Sequence, residues 1–321
     1  MRISAVIPLY NKERSISRAI KSVLNQTKQI FEIIVINDGS TDNSSKRVSQ
    51  LSEKSDLIRM IHQENAGVSA ARNRGVQEAR SDIIAFLDAD DEWYPTFIEE
   101  IIALSKEFSK GDVFCTSYII QEINGRKTKP ETVLVFEPNY RGYIANYLDV
   151  IRKVLPFNVS SFVVTKKALN QIGGFPVGVI YGEDVDTFVR LSLHHKIVFV
   201  NKVLSIYHRD AENRACDRYN QYLKEYYPVK NLSLMLEKGL VPSHFMQSAI
   251  EYVAKNQLSL AQAHLHFGNP QHARGLIRSC KGTRIYRDQW YYLYLCSFIP
   301  PVILRNLIQI RNKLTGQKND V

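Results

Sequence analysis

Three aspartates fall within four positions in Asp88-Ala89-Asp90-Asp91, directly after the apolar run Ile83-Ile84-Ala85-Phe86-Leu87. Carboxylates a few ångström apart repel by roughly 1 kcal/mol in water and about 4 kcal/mol at an intermediate dielectric. A hard divalent cation relieves that repulsion, and Mg2+ or Mn2+ is commonly held by one or two carboxylates together with substrate phosphates. A plainer role is also open: Asp90, Asp91 and Glu92 can open a following helix, where acids favour the positive end of its dipole. Glu183-Asp184 precedes Val185, Phe188, Val189 and Leu191 at helical spacing. That pair can supply a general base or merely complement another helix dipole. Asp38 can accept hydrogen bonds from a nucleobase or ribose, or serve the turn Asp38-Gly39-Ser40-Thr41-Asp42. Arg72 and Arg74 can turn a fork of donors toward a diphosphate, or stay solvated.

The elements that must hold these residues alternate. Arg2 to Ile7 reads as a strand ending at Pro8, and Asn11 as the N-cap of a helix with Ile16, Ala19, Ile20, Val23 and Leu24 on one face. Phe31 to Ile36 and Leu57 to His62 read as further strands, with a helix over Ser44 to Leu51 between them. A small-residue helix follows Asn65-Ala66-Gly67. Continuous apolar runs mark strands buried on both faces, and strand–helix alternation argues for a mainly parallel sheet flanked by helices. Ligands of such sheets bind at the carboxyl ends of the strands, where Asp38 and Asp88 both fall. No G-x-G-x-x-G or G-x-x-x-x-G-K-[ST] follows any of these strands, which sets aside the common dinucleotide and P-loop classes.

The 321 residues are 45% hydrophobic and 23% charged, an ordinary globular balance. No charged head with a long apolar stretch opens the chain, so a cytoplasmic protein is expected. Cys115, Cys216, Cys280 and Cys296 are far apart and suggest reduced thiols without zinc spacing. The net charge of +10 is concentrated at the end: residues 270 to 321 hold nine Lys or Arg against Asp288 and Asp320, a difference of +7.

Four segments occur in a telling order: Ala5-Val6-Ile7-Pro8-Leu9-Tyr10-Asn11; Ile36-Asn37-Asp38-Gly39-Ser40-Thr41-Asp42; Asn65-Ala66-Gly67 with Ala71-Arg72-Asn73; and Phe86-Leu87-Asp88-Ala89-Asp90-Asp91. Together they resemble the family 2 glycosyltransferases with the GT-A fold. The resemblance implies a Rossmann-like, mainly parallel sheet and a nucleotide-diphosphate sugar donor, most often a UDP-sugar. Pro8, Tyr10 and Asp38 match the base and ribose pocket, and Asn65 and Arg72 match positions near the donor. Asp88, Asp90 and Asp91 match the D-x-D metal motif, with Asp90 the first choice as ligand for Mn2+ or Mg2+. Glu183-Asp184 resembles the pair that supplies the base of inverting members, Asp184 as base and Glu183 as a positioning group. His208 resembles a histidine that some members place near the metal or diphosphate.

A catalytic domain over 1–215 is therefore expected, with a nucleotide-sugar half to about 110 and an acceptor half over 111–215. A helical region over 216–321 follows. Strands are expected over Asp112 to Tyr118 and Thr132 to Phe136, and helices over Tyr219 to Leu236 and Ser243 to Phe267. From Pro301 onward, apolar Val302, Ile303, Leu304, Leu307, Ile308 and Leu314 alternate with Arg305, Arg311 and Lys313. Such a helix suits either an anionic membrane surface or packing on the rest of the protein. No nucleic-acid reading motif accompanies the basic tail. The expected activity is a metal-dependent inverting hexosyl- or N-acetylhexosaminyl-transferase building a surface polysaccharide on a glycan or lipid-linked acceptor. A non-catalytic glycan-binding or membrane-attached assembly subunit on the same fold is the alternative.

Overall fold

The structure, a computed structural model, describes residues 1–132, 135–211 and 225–304. Two compact units divide the chain, residues 1–219 and 220–321.

The first unit is a ten-stranded mixed sheet flanked by helices. Its strands are β1 (Ser4–Leu9), β2 (Glu32–Asp38), β3 (Ile58–Gln63), β4 (Ile83–Phe86), β5 (Glu92–Trp93), β6 (Val113–Gln121), β7 (Lys127–Thr128), β8 (Arg141–Tyr143), β9 (Phe162–Thr165) and β10 (Ile197–His208). They run in the order β3-β2-β1-β4-β9-β6-β10-β5, with β7 beside β6 and β8 beside β10. The β3-β2-β1-β4 half is parallel throughout, and β9 enters antiparallel between β4 and β6. All residues of β1 and β2 are buried, as their unbroken apolar runs require.

Pro8 does not end β1, as expected from its missing N–H, but lies inside it opposite Ile36. The reason is parity. Val6, which shares a side with Pro8, accepts from Leu87 N–H on the β4 side, and the β1–β4 ladder has run out before Pro8 is reached. No ladder bond is lost.

Helices α1 (Ile16–Leu24), α2 (Ser44–Ser52), α3 (Val68–Glu78), α4 (Phe97–Glu107), α5 (Tyr147–Ile151), α6 (Lys166–Gln171) and α7 (Glu183–His194) complete this unit. Helix α1 starts later than Asn11, with Ser15 at its N-cap. Asn11 instead adopts φ 51°, a left-handed conformation that asparagine tolerates, and its Oδ1 accepts from Thr41 N–H at 2.8 Å. It thereby ties the loop after β1 to the loop after β2. Helix α3 packs so closely on β1 that a Cβ at Gly75 would sit 2.3 Å from Val6 Cγ1. The core sheet of this unit is sealed on one face by Ile16, Ile20, Phe97 and Ile101 of α1 and α4, all fully buried.

At the residues described, the strand expected over 132–136 is a turn, with Val135 and Phe136 N–H both donating to the Thr132 carbonyl; residues 133 and 134 lie outside the described residues. The second unit contains α8 (Tyr227–Glu237), α9 (Met246–His266), α10 (Pro270–Ser279) and α11 (Arg287–Cys296). Ala254, Leu258, Ala261, Ala273, Ile277 and Leu293 form its core. The start of the helix expected at Tyr219 and the basic segment after Leu304 lie outside the described residues. Among those described, no helix is long and apolar enough to cross a membrane.

Candidate active site

A cleft of about 560 Å³ opens at the carboxyl ends of β1, β2 and β4. Pro8 and Tyr10 come to it from the end of β1, Asp38 from β2, and Asn65 from the loop before α3. Arg72 rises from α3, Asp88 and Asp90 follow β4, and Glu183 comes from the first turn of α7. Seven residues singled out for the donor are thus brought together with one of the two acids proposed for catalysis. Tyr10 is exposed at the cleft and could offer a ring face.

The acids of this edge behave in two ways. Asp38 is 3% exposed and its carboxylate closes a loop. Oδ1 accepts from Ala66 N–H at 2.9 Å and from Gln63 Nε2 at 2.7 Å, while Oδ2 accepts from Gly67 N–H at 2.9 Å. The turn role weighed for Asp38 is therefore visible, reaching across to the next βα loop. Gly67 takes φ 88°, a backbone setting natural to glycine, as it presents that amide. Asn65 returns a bond from Nδ2 to the Asp38 carbonyl at 2.9 Å.

Asp88 and Asp90 face the cleft and are balanced by side-chain cations. Arg72 Nη2 donates to Asp88 Oδ1 at 2.8 Å and Nη1 to Glu183 Oε1 at 2.9 Å, so one guanidinium joins the acidic loop to α7. Its Cζ lies 5.2 Å from the centre of the Phe175 ring. Burial would lower the Arg72 pKa, but Asp88 and then Glu183 hold it above the usual arginine value. Lys12 Nζ pairs with Asp90 Oδ2 at 2.6 Å.

Asp91 points elsewhere. It is 1% exposed, accepts from Ser160 Oγ at Oδ2 and from His208 N–H at Oδ1, and has no place in the cleft wall. Burial, then the neighbouring Asp90 and Asp88, push its pKa well above the carboxylate range. Asp91, expected at a metal, here braces the β4–β5 connection against β10. His208 is likewise engaged, with Nδ1 2.9 Å from Asp210 Oδ1 and Nε2 3.0 Å from Glu92 Oε1. Neither residue joins Asp90 as a ligand set in this arrangement. Glu92 begins β5 rather than a helix, and α4 starts only at Phe97.

Glu183 and Asp184 open α7 behind Gly182, which sits at φ 84°. Burial of the Asp184 carboxyl, followed by the adjoining Glu183, pushes its pKa up to about 7 against the pull of Arg72. A carboxylate poised there exchanges protons readily near neutral pH. Asp184 stands outside the wall formed by Glu183, one residue deeper in α7. Beyond it, Tyr118 of β6 has its hydroxyl pushed up to about 12 by burial and then by Asp184.

Three contributors were not apparent in the sequence: Lys12, Ser160 and Tyr118. Lys12 follows the Tyr10-Asn11 loop, and a basic residue directly after that motif was the available signal. Ser160 accepts from Asp88 N–H at 3.1 Å and donates to Asp91, linking two members of the acidic triplet from 72 and 69 residues away in sequence. Nothing local announces that contact.

Among the described residues, no group of three or more His, Cys, Asp or Glu could hold a metal alone. The two cleft-facing carboxylates, Asp88 and Asp90, nevertheless suit a hard cation whose remaining ligands are phosphate oxygens and water. The donor set therefore fits Mg2+ or Mn2+ as a shared protein and substrate site.

Comparison with known proteins gives the same architecture. The profile of the family described as Glycosyl transferase family 2 matches residues 4–173. An uncharacterized glycosyltransferase of Escherichia coli, YibD, is 44% identical over 106 residues, covering 33% of this chain and 31% of its own. An uncharacterized glycosyltransferase of Rickettsia felis is 34% identical over 206 residues, 64% of this chain and 32% of its own. The chain spans about a third of the length of the curated relatives it matches. A crystal structure of S. aureus TarS 1-349 in complex with UDP-GlcNAc superposes with a TM-score of 0.70 at 17% identity, over 99% of this chain and 93% of that one. That likeness is one of fold.

Proposed function

The chain belongs to glycosyl transferase family 2, and from that membership we propose that it moves a hexosyl or N-acetylhexosaminyl group from a UDP-sugar to a hydroxyl with inversion. The acceptor is a glycan or lipid-linked saccharide of a surface polysaccharide, and the setting is cytoplasmic. The observation that carries this reading is the Arg72 bridge between Asp88 and Glu183, which puts donor-side acids and the head of α7 on one cleft. TarS, of the same fold, was crystallised with UDP-GlcNAc and with UDP, which supports a uridine donor. Free, buried Cys115, Cys280 and Cys296 support a reducing compartment.

In this reading Tyr10 packs on the base, and the Asp38-braced loop with Asn65 frames the nucleoside. Asp88 and Asp90 would hold a Mn2+ or Mg2+, which supplies positive charge for the departing diphosphate. Arg72, charged and held between Asp88 and Glu183, adds positive charge beside the same oxygens. Asp184 takes the proton of the acceptor hydroxyl as its oxygen bonds to the anomeric carbon. The bond from that carbon to the diphosphate breaks on the opposite face, and the nucleoside diphosphate leaves. Glu183, held by Arg72, keeps the head of α7 in register with the donor.

The test is to incubate the protein with UDP-GlcNAc, UDP-glucose or UDP-galactose and Mn2+, following UDP release and the anomeric form of the freed sugar by proton NMR. Release from one donor with the inverted anomer formed first agrees with the proposal. Retained configuration, or no release from any donor across a panel of nucleotides, contradicts it.

A further inference from the structure

Helix α11 is apolar on both sides. Leu293 and Cys296 face inward, while Trp290 stacks on Tyr294 at 5.1 Å and donates from Nε1 to the Ile277 carbonyl. The opposite side should be polar if water covered it. Instead Tyr291 is 56% exposed and Leu295 67%, one turn apart on α11, and the segment after the helix continues with Phe298 at 59% and Val302 at 72%. Ile285, Tyr292 and Ile303 lie exposed beside it in sequence. Of the sixteen large hydrophobic residues exposed among the described residues, seven fall between positions 285 and 303. Such concentration marks an interaction surface rather than scattered surface apolarity.

Charge selects the occupant. Arg278, Lys281, Arg284 and Arg287 are all exposed just before these residues, against Asp288 alone. On a helical period Arg287 falls on the side of Tyr291 and Leu295. A second copy of the chain would bring this basic surface against itself, which like charge opposes. A nucleic acid would satisfy the arginines but leave Leu295, Val302 and Ile303 without a partner. An anionic bilayer meets both demands: aliphatic groups enter the acyl boundary, tyrosines sit at headgroup level, and basic residues meet lipid phosphates.

We propose that the exposed apolar surface of Tyr291 and Leu295 on α11 and of Phe298 and Val302 in the segment after it, with Arg284 and Arg287 at its edge, docks the protein on an anionic lipid surface. The site is independent of the donor cleft, so it stands or falls apart from the proposed reaction. It also extends the expected membrane contact upstream from the segment beginning at Pro301, to Tyr291, Leu295 and Phe298, which are exposed.

The experiment is flotation of the full chain with vesicles of phosphatidylcholine alone or with about 30% phosphatidylglycerol. Wild type, Leu295→Glu/Phe298→Glu, Arg284→Glu/Arg287→Glu and a chain ending at Leu304 are compared. Thermal unfolding confirms that each folds, and UDP binding serves as a control on the other unit. The expected result is at least tenfold stronger binding to the anionic vesicles, weakened by salt and lost tenfold or more in both double variants. Retained binding in those variants, equal binding to both vesicle types, or loss only in the shortened chain overturns the proposal. So does a concentration-dependent oligomer that the Leu295→Glu/Phe298→Glu variant abolishes while no vesicle binds.

Discussion

Two corners of one sheet edge carry aspartates to opposite ends. At the end of β2, Asp38 is surrounded by main-chain donors, and the amides of Ala66 and Gly67 consume its carboxylate. After β4, Asp88 and Asp90 are met by the side-chain cations Arg72 and Lys12. Backbone amides cannot follow a ligand, so the first corner is architecture. Side-chain ammonium and guanidinium groups can be shared with or displaced by a phosphate or a metal ion, so the second corner can do chemistry. Asp91 repeats the first pattern within the acidic triplet itself, through Ser160 and the His208 amide.

The contrast is broken most severely at the head of α7. Asp184→Asn should lower kcat by about 10²–10⁴, the usual worth of a general base, while nucleotide affinity stays within a factor of two or so. Steady-state kinetics alongside calorimetry measures both; comparable kcat in the variant would remove Asp184 from the mechanism. The pH profile is the next largest effect. A base acts in its ionised form, so kcat/KM should climb about tenfold per unit below a pKa of about 7 and level off above it. A profile that falls through neutrality would point to an acid instead.

Stability sharpens the comparison further. Asp38→Ala strands two amides and the Gln63 side chain, and should cost about 1–3 kcal/mol in urea unfolding. Asp90→Asn gives up one largely buried ion pair but keeps a side-chain oxygen that can accept from Lys12, so it should move stability less than Asp38→Ala does, by about 1 kcal/mol, while impairing turnover far more. Equal destabilisation by the two would erase the distinction between corners. Ser160→Ala should cost about 1 kcal/mol from the lost donor to Asp91, with little change in turnover.

The strands of this edge were legible because β1, β2 and β4 are buried on both faces and so spell unbroken apolar runs ending in acids or turns. The helix headed by Glu183 was legible for a similar reason, its apolar period. Which way each acid turns was not. Once a strand ends, side-chain alternation no longer constrains the next residue, so Asp88, Asp90 and Asp91 look equivalent in sequence although Ser160 and β10 claim only the last. His208 shows the same limit: Asp210 is near it in sequence, but its other partner Glu92 becomes a neighbour only after β5 pairs with β10. Asn11 was misread because a residue suited to an N-cap is also suited to a left-handed turn. On α11, only the packed structure distinguishes the covered side from the open one.

The most direct measurement is calorimetric titration of UDP, with GDP and dTDP for comparison, into wild type and Asp90→Asn, each with and without Mn2+. Metal-dependent binding of UDP by the wild type, lost in Asp90→Asn while Asp184→Asn retains it, is the expected result. A folded wild-type protein that binds none of the three, or binds UDP equally well in both proteins regardless of metal, would contradict the account of the second corner.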